Sequence, residues 1–170
     1  MSNFDVKLLQ RSEARRHVDS LQPPFSMIKR EAAGSLIPWC AAHGTGVICY
    51  SPMQSGILTD AFSAARVAAF APDDWRRRGP EFKSPQLERN IQLRDALKPI
   101  AARHHTTVSA VAIAWVLAWP GITGAIVGAR SAEQVDGWLP AAGLTLEAAD
   151  LEAIAAAIER SGAGTGPLNP

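Results

Sequence analysis

The sequence predicts an α/β fold built on a parallel sheet, and three observations carry that expectation. Two runs, Gly46-Val47-Ile48-Cys49-Tyr50 and Gly124-Ala125-Ile126-Val127-Gly128, are apolar throughout and bounded by turn residues, as strands covered on both faces are. Stretches with apolar residues at helical spacing lie between and after them. The order strand, helix, strand, helices, strand, helices is the alternation that gives parallel strands joined by right-handed crossovers.

Taken in order, residues 17–22 alternate polar and apolar side chains before Pro23-Pro24, which cannot donate to a ladder, so a short strand ends there. Residues 27–42 place Ile28, Leu36, Trp39 and Cys40 at near-helical spacing and stop at His43-Gly44; Gly34 and Pro38 weaken that helix from within. After the strand ending at Tyr50, residues 59–83 contain Pro72-Asp73-Asp74, Arg76-Arg77-Arg78 and Gly79-Pro80 without periodicity, and read as a long excursion off the scaffold. Ser84 is placed to cap a helix with Pro85 at its first position, and the pairs Leu87/Ile91 and Leu93/Leu97 share its face until Pro99 interrupts it. Residues 107–119 are apolar nearly all round and form a helix packed against the sheet. At the end, Thr145 is placed to cap a helix with the stripe Leu151, Ile154, Ala155 and Ile158, and acidic Glu147 and Asp150 fall in its first turn. Residues 161–170 are rich in Gly, Pro and Ser and are expected to be a flexible tail.

A chain of 170 residues with 47% hydrophobic and 19% charged residues has material for one packed core, so residues 1–160 are read as a single unit. The formal net charge of +1 gives no global field for a polyanion or an anionic membrane, and nucleic acid is not an expected partner. The two cysteines, Cys40 and Cys49, lie among apolar neighbours outside any CxxC or Cys/His cluster, which argues against a metal and for a reducing, cytoplasmic setting. The start of the chain lacks the pattern of a secretory signal, and the longest apolar stretch, from Val108 to Trp119, falls short of the roughly 20 residues that span a bilayer.

Four separated segments resemble, in the right order, the pattern of the aldo-keto reductases. They are Ser2-Asn3-Phe4; Gln22; Tyr50-Ser51-Pro52-Met53 leading to Gly56-Ile57-Leu58-Thr59; and Gly128-Ala129-Arg130-Ser131-Ala132-Glu133-Gln134. The resemblance implies a (β/α)8 TIM barrel, a fold that needs about 250 residues. It therefore implies a partial barrel: the strands near 17–22, 46–50 and 124–128 correspond to strands six to eight, followed by a C-terminal helix, with strands one to four absent. In such a barrel phosphate sites form in the loops after strands seven and eight, where Tyr50, Ser51, Met53 and Gly56, and then Gly128, Arg130 and Gln134, fall.

By the same resemblance, Ser2, Asn3 and Gln22 would hold a nicotinamide carboxamide and Tyr50 would stack on its ring. Ser51 and Met53 would meet the pyrophosphate, with Gly56 and Gly128 letting backbone come close. Arg130 and Gln134 would face an adenosine 2′-phosphate, a cation there being the physical basis for choosing NADP(H) over NAD(H). Where many relatives carry a glutamate and an asparagine on the adenine side, this chain has Gly137 and Trp138.

The family transfers hydride to a carbonyl while a tyrosine, tuned by a lysine and assisted by a histidine and an aspartate, supplies the proton. Those four come from the early strands. Tyr50 is the only tyrosine and already matches the stacking position, so the chain is expected to hold no catalytic residue and to be inactive alone. A small carbonyl substrate is expected only with the N-terminal half present. Exposed sheet edges would invite self-association, and a non-catalytic NADP(H)-binding or partner-interaction module is the alternative reading. By the resemblance the run Arg76-Arg77-Arg78 could clamp the pyrophosphate, but a solvated charged loop is the favoured reading; His104-His105 are read as exposed or capping, and Trp39, Trp115 and Trp119 as packing residues.

Overall fold

A computed structural model describes the whole chain, Met1–Pro170. Its scaffold is a three-stranded parallel sheet of β1 (Ser20–Leu21), β2 (Gly46–Tyr50) and β3 (Ile122–Ile126), in the order β1-β2-β3. Isolated parallel bridges from Ser2 to Gln22 and from Pro24 to Tyr50 extend the pairing at its upper end. The expected strand over 17–22 is thus confined to two residues, although the prolines do end it.

The strand expected at 124–128 lies two residues earlier. Its register with β2 slips between Val47 and Ile48, and there the Thr123 hydroxyl accepts the Val47 N–H at 2.7 Å. A side chain replaces one rung of the ladder, which periodicity alone does not reveal. Gly46 fits this crossing because a Cβ there would stand 3.2 Å from Thr123 Oγ1.

Eight helices accompany the sheet. The first, α1 (Val6–Glu13), is capped by Asp5, whose carboxylate accepts the Leu8 N–H at 2.8 Å. Next, α2 (Ala32–Ala42) starts five residues later than its sequence pattern suggests. The Ser26 hydroxyl accepts the N–H groups of Ile28 (3.2 Å) and Lys29 (3.0 Å), holding 26–29 in a turn that competes with helix. The excursion over 59–83 carries only the short α3 (Ala64–Ala68) and two single 3₁₀ turns. Helices α4 (Gln86–Ala96) and α5 (Lys98–Arg103) are separated at Leu97, with Pro99 in the first turn of α5, as expected of a proline break. At the start of α4 the cap position belongs to Pro85 and not to Ser84.

The core forms where α6 (Val108–Leu117) backs the sheet. Trp115 is fully buried, stacks on Phe25 at 5.8 Å and meets Trp119 edge-on at 5.3 Å. Trp39 is only half-buried and stacks on His43 instead. After α7 (Ala132–Trp138), α8 (Ala148–Ser161) is capped at Glu147 and not at Thr145. Asp150 reaches back to accept the Glu147 N–H at 3.1 Å, so the acidic first turn itself supplies the cap.

The last ten residues differ from the loose tail expected of their composition. They cross the turn at 26–31, where Lys29 and Thr165 form a parallel bridge and Ala163 is buried. The buried Arg30 donates through Nε to the Pro167 carbonyl at 2.9 Å and through Nη1 to that of Ala163 at 3.1 Å. Gly164, at φ 61°, passes so close to Ile28 that a Cβ would overlap its carbonyl.

Candidate functional site

Tyr50 ends β2, and the chain leaves it through left-handed backbone at Ser51 (φ 58°), Gln54 (45°), Ser55 (54°) and Gly56 (95°). Three of these are not glycine, and each such residue stores on the order of 1 kcal/mol or more. Local hydrogen bonds hold the turn: Gln54 N–H donates to Ser51 O at 2.9 Å, Gly56 N–H to Met53 O at 3.1 Å, and the Ser26 hydroxyl to Gln54 Oε1 at 2.8 Å. Strain sustained in this way is characteristic of ligand-clasping turns.

Beyond the turn opens a groove of about 680 Å³. One wall is the turn after β2, with Tyr50, Ser51, Met53 and Gly56; another is the loop after β3, with Gly128, Arg130 and Gln134. Seven of the ten residues singled out from the sequence therefore line one cavity. Ser2, Asn3 and Gln22 do not line it, but they meet one another and Tyr50 at its end. The Tyr50 hydroxyl donates to Asn3 Oδ1 at 3.0 Å, Asn3 N–H donates to Gln22 O at 3.2 Å, and Ser2 pairs with Gln22.

The floor is the N-terminus of α6. Thr107 caps it by accepting the Ala110 N–H at 3.0 Å, and both oxygens of Asp60 accept the Val108 N–H at 3.2 Å. The carboxylate of Asp60 is thereby engaged with the helix end, and the Thr107 hydroxyl donates to Gly137 O at 2.5 Å, so Ser51, Ser55, Ser109 and the arginines are among the polar groups facing the groove. On the far wall, Gln134 Oε1 accepts the Arg130 N–H at 2.8 Å and so fixes the turn from which the Arg130 side chain extends.

The third wall is made by the excursion through Arg66, Trp75 and Arg76, of which the sequence reading names only the 76–78 run. The 76–78 run was expected to be solvated; Arg78 is exposed, but Arg76 faces the groove. Arg76 Nη2 pairs with Asp74 Oδ2 at 2.5 Å and its guanidinium lies 3.9 Å from the centre of the Phe70 ring. The hydrogen bond from Arg76 draws the Asp74 carboxyl down to about 2, with a smaller contribution from the charge of Arg130. The stem of the excursion is pinned from beneath by buried Arg94, whose Nη1 donates to the carbonyls of Thr59, Asp60 and Phe62 at 3.1, 3.1 and 2.6 Å. A loop position cannot be read from spacing, so the sequence offered no signal for Arg66.

The site's chemistry suits an elongated polyanion with aromatic ends. It offers guanidinium, hydroxyl and backbone N–H donors together with the rings of Tyr50 and Trp138. Trp138 is half-buried, and its Nε1 is shielded without a partner. Cys49 takes no part, since burial pushes its thiol up to about 12. No group of three or more His, Cys, Asp or Glu is placed to hold a metal ion, and no helix is long and apolar enough to cross a membrane.

Comparison with known proteins places the chain in a family. The sequence model described as the aldo/keto reductase family matches residues 1–159. The chain is 26% identical over 162 residues to the aldo-keto reductase YhdN of Bacillus subtilis, covering 95% of this chain and 48% of that protein. It is likewise 26% identical over 162 residues to the NADH-specific methylglyoxal reductase of Escherichia coli, covering 94% and 48%. Among solved structures, the glycerol dehydrogenase AKR11B4 of Gluconobacter oxydans superimposes with a TM-score of 0.86 at 26% identity, over 99% of this chain and 50% of the other. The chain thus spans about half the length of the relatives it matches.

Proposed function

The chain belongs to the aldo/keto reductase family, and we propose that it forms the cofactor-holding side of an NADP(H)-dependent oxidoreductase acting on aldehydes or ketones. The observation that carries this reading is the single groove running from Tyr50, with its Asn3, Ser2 and Gln22 companions, to Arg130 and Gln134. A dinucleotide bound there would set its nicotinamide ring by Tyr50, its diphosphate by the turn after β2 and its adenosine phosphate by Arg130.

When bound, the cofactor supplies the hydride. The chain's own residues would hold it. Asn3, Ser2 and Gln22 present amide and hydroxyl groups to a carboxamide beside Tyr50, whose ring would lie against the nicotinamide face. Ser51, the Met53 N–H and Gly56 would meet the diphosphate, with Gly128 leaving room across the groove. Arg130 supports NADP(H) over NAD(H), because a guanidinium repays the approach of an extra phosphate. One relative of this similarity is NADH-specific, so the preference of this chain rests on Arg130.

Nothing in the groove supplies the proton that carbonyl reduction requires. The sole tyrosine is committed to Asn3, and neither lysine nor histidine lines the cavity. We therefore infer that residues 1–160 act as the C-terminal part of a barrel and need the missing half for turnover. Calorimetric titration of the purified chain with NADP+ tests the first claim, and an assay of NADPH oxidation with a panel of aldehydes tests the second. Saturable binding without turnover is expected; clear turnover by the chain alone overturns the division of labour. The bare sheet face, with Ile48 39% and Ile126 42% exposed, favours a second reading in which the chain is a binding module that associates with another polypeptide.

A further inference from the structure

The turn after β2 keeps Gln54 in left-handed backbone at φ 45°, a conformation that side-chain-bearing residues disfavour. Met53, Ser55 and Gly56 beside it line the groove, but Gln54 does not. Its amide instead reaches two segments from elsewhere in the chain. Oε1 accepts the hydroxyl proton of Ser26 at 2.8 Å, and Nε2 donates to Glu81 Oε1 at 3.4 Å.

The hydrogen-bonding capacity of Ser26 makes the first contact specific. Ser26 is fully buried, and its hydroxyl oxygen already accepts the N–H groups of Ile28 at 3.2 Å and Lys29 at 3.0 Å. A hydroxyl has one proton to give, and only an acceptor can take it. That orients the Gln54 amide, with its oxygen toward Ser26 and its nitrogen toward the Glu81 carboxylate. Both partners are anchored independently of the turn. The final residues cross segment 26–31, where Lys29 bridges to Thr165 and Arg30 bonds the carbonyls of Ala163 and Pro167. Glu81 is held from α4, where buried Asn90 donates through Nδ2 to its carbonyl at 3.0 Å.

We propose that Gln54 is a positioning residue of the groove: its amide, fastened to Ser26 and Glu81, holds the left-handed turn that presents Met53, Ser55 and Gly56 to the ligand. This rests on the dinucleotide reading for the identity of that ligand, and adds to it a residue that does not line the groove. A left-handed residue other than glycine persists only where its surroundings over-determine it. Alanine at position 54 keeps the backbone cost and loses the tether, whereas glycine removes the backbone cost as well. The two truncations therefore separate positioning from direct contact with the ligand.

The test compares the purified chain with its Gln54→Ala, Gln54→Gly and Ser26→Ala variants in two readouts. The first needs no ligand: amide hydrogen exchange at Gly56 and Leu58, whose N–H groups both donate to Met53 O at 3.1 Å. Gln54→Ala is expected to speed exchange there about ten-fold, the effect of losing one hydrogen bond and stranding a buried donor. Gln54→Gly is expected to recover most of that change, and Ser26→Ala to speed exchange at least as much as Gln54→Ala. The second readout is titration with NADP+, in which Gln54→Ala is expected to bind about ten-fold more weakly than the parent and Gln54→Gly to recover most of the loss. Unchanged exchange in Gln54→Ala, equal losses in the alanine and glycine variants, or faster exchange at unaltered NADP+ affinity each overturns the positioning role and leaves the dinucleotide reading in place. A parent chain that does not bind NADP+ overturns the dinucleotide reading, and exchange alone then decides whether Gln54 holds the turn.

Discussion

The two faces of the sheet make an instructive contrast. On the side covered by helices, Val47 and Cys49 are fully buried; on the other side of the same strand, Ile48 is 39% exposed. Ile126, opposite Tyr50, is open in the same way. Side chains alternate along a strand, so one short apolar run serves both a finished interior and a bare apolar surface. The sequence registers only the hydrophobicity of both faces. Which of them is covered depends on chain that lies elsewhere.

The contrast predicts unequal sensitivity to substitution. The largest loss is expected on the covered side, where Trp115→Ala should lower stability by about 3–5 kcal/mol because it removes the ring stacked on Phe25 and set edge-on to Trp119. Thermal or urea unfolding measures it, and a loss no greater than at Ile48 would erase the distinction. Asp150 should come next. Buried at the start of α8, it accepts bonds from Arg103 (2.5 Å) and the Glu147 N–H, and lies 2.7 Å from His104 Nε2. Asp150→Asn should cost about 1–3 kcal/mol.

The same residue sets a pH dependence. Burial raises the Asp150 carboxyl, but the bonds from Arg103, His104 and Glu147 outweigh it and hold the group below the ordinary carboxylate range. A depressed folded value means that the stabilisation is full above the unfolded value, about 4, and is lost as pH falls through the folded one. Acid unfolding of the parent should therefore be steeper than that of Asp150→Asn. The exposed pair His17–Glu13 contributes in the opposite direction through His17. Its value is raised by the hydrogen bond it donates to Glu13, so that share is present below about 6.5 and fades as pH rises.

The smallest stability change is expected on the bare face. Ile48→Ser should alter folding by less than about 0.5 kcal/mol, as exposed positions usually do. If that face mediates association, the variant should nonetheless shift the chain toward monomer in sedimentation velocity. A large loss of stability with no change in association would mean that Ile48 is already covered within the chain.

Much of the architecture follows from residues close together in sequence. The apolar run to Tyr50, the proline break before α5 and the all-round apolar α6 each obey local rules. Two of the misplacements have nonlocal causes, and the late start of α2 has a local one that periodicity does not register. β3 begins early because Thr123 bonds across to Val47, α2 begins late because Ser26 takes two amides, and the final decapeptide is ordered because Arg30 binds its carbonyls. The site divides in the same way. Motif residues after β2 and β3 could be named beforehand because strand ends are fixed positions in a parallel α/β scaffold. The excursion that supplies Arg66 and Arg76 has no such frame, and Arg94, which anchors it, looks like any helical surface arginine.

The crossing of the C-terminal segment over Arg30 bears on how the chain can be handled. Shortening it at the end of α8 would seem harmless from composition, yet it would strand a guanidinium inside the protein with two of its carbonyl acceptors gone. The final residues cover the turn that follows β1, and a purification tag appended there would start from a segment already packed on the protein.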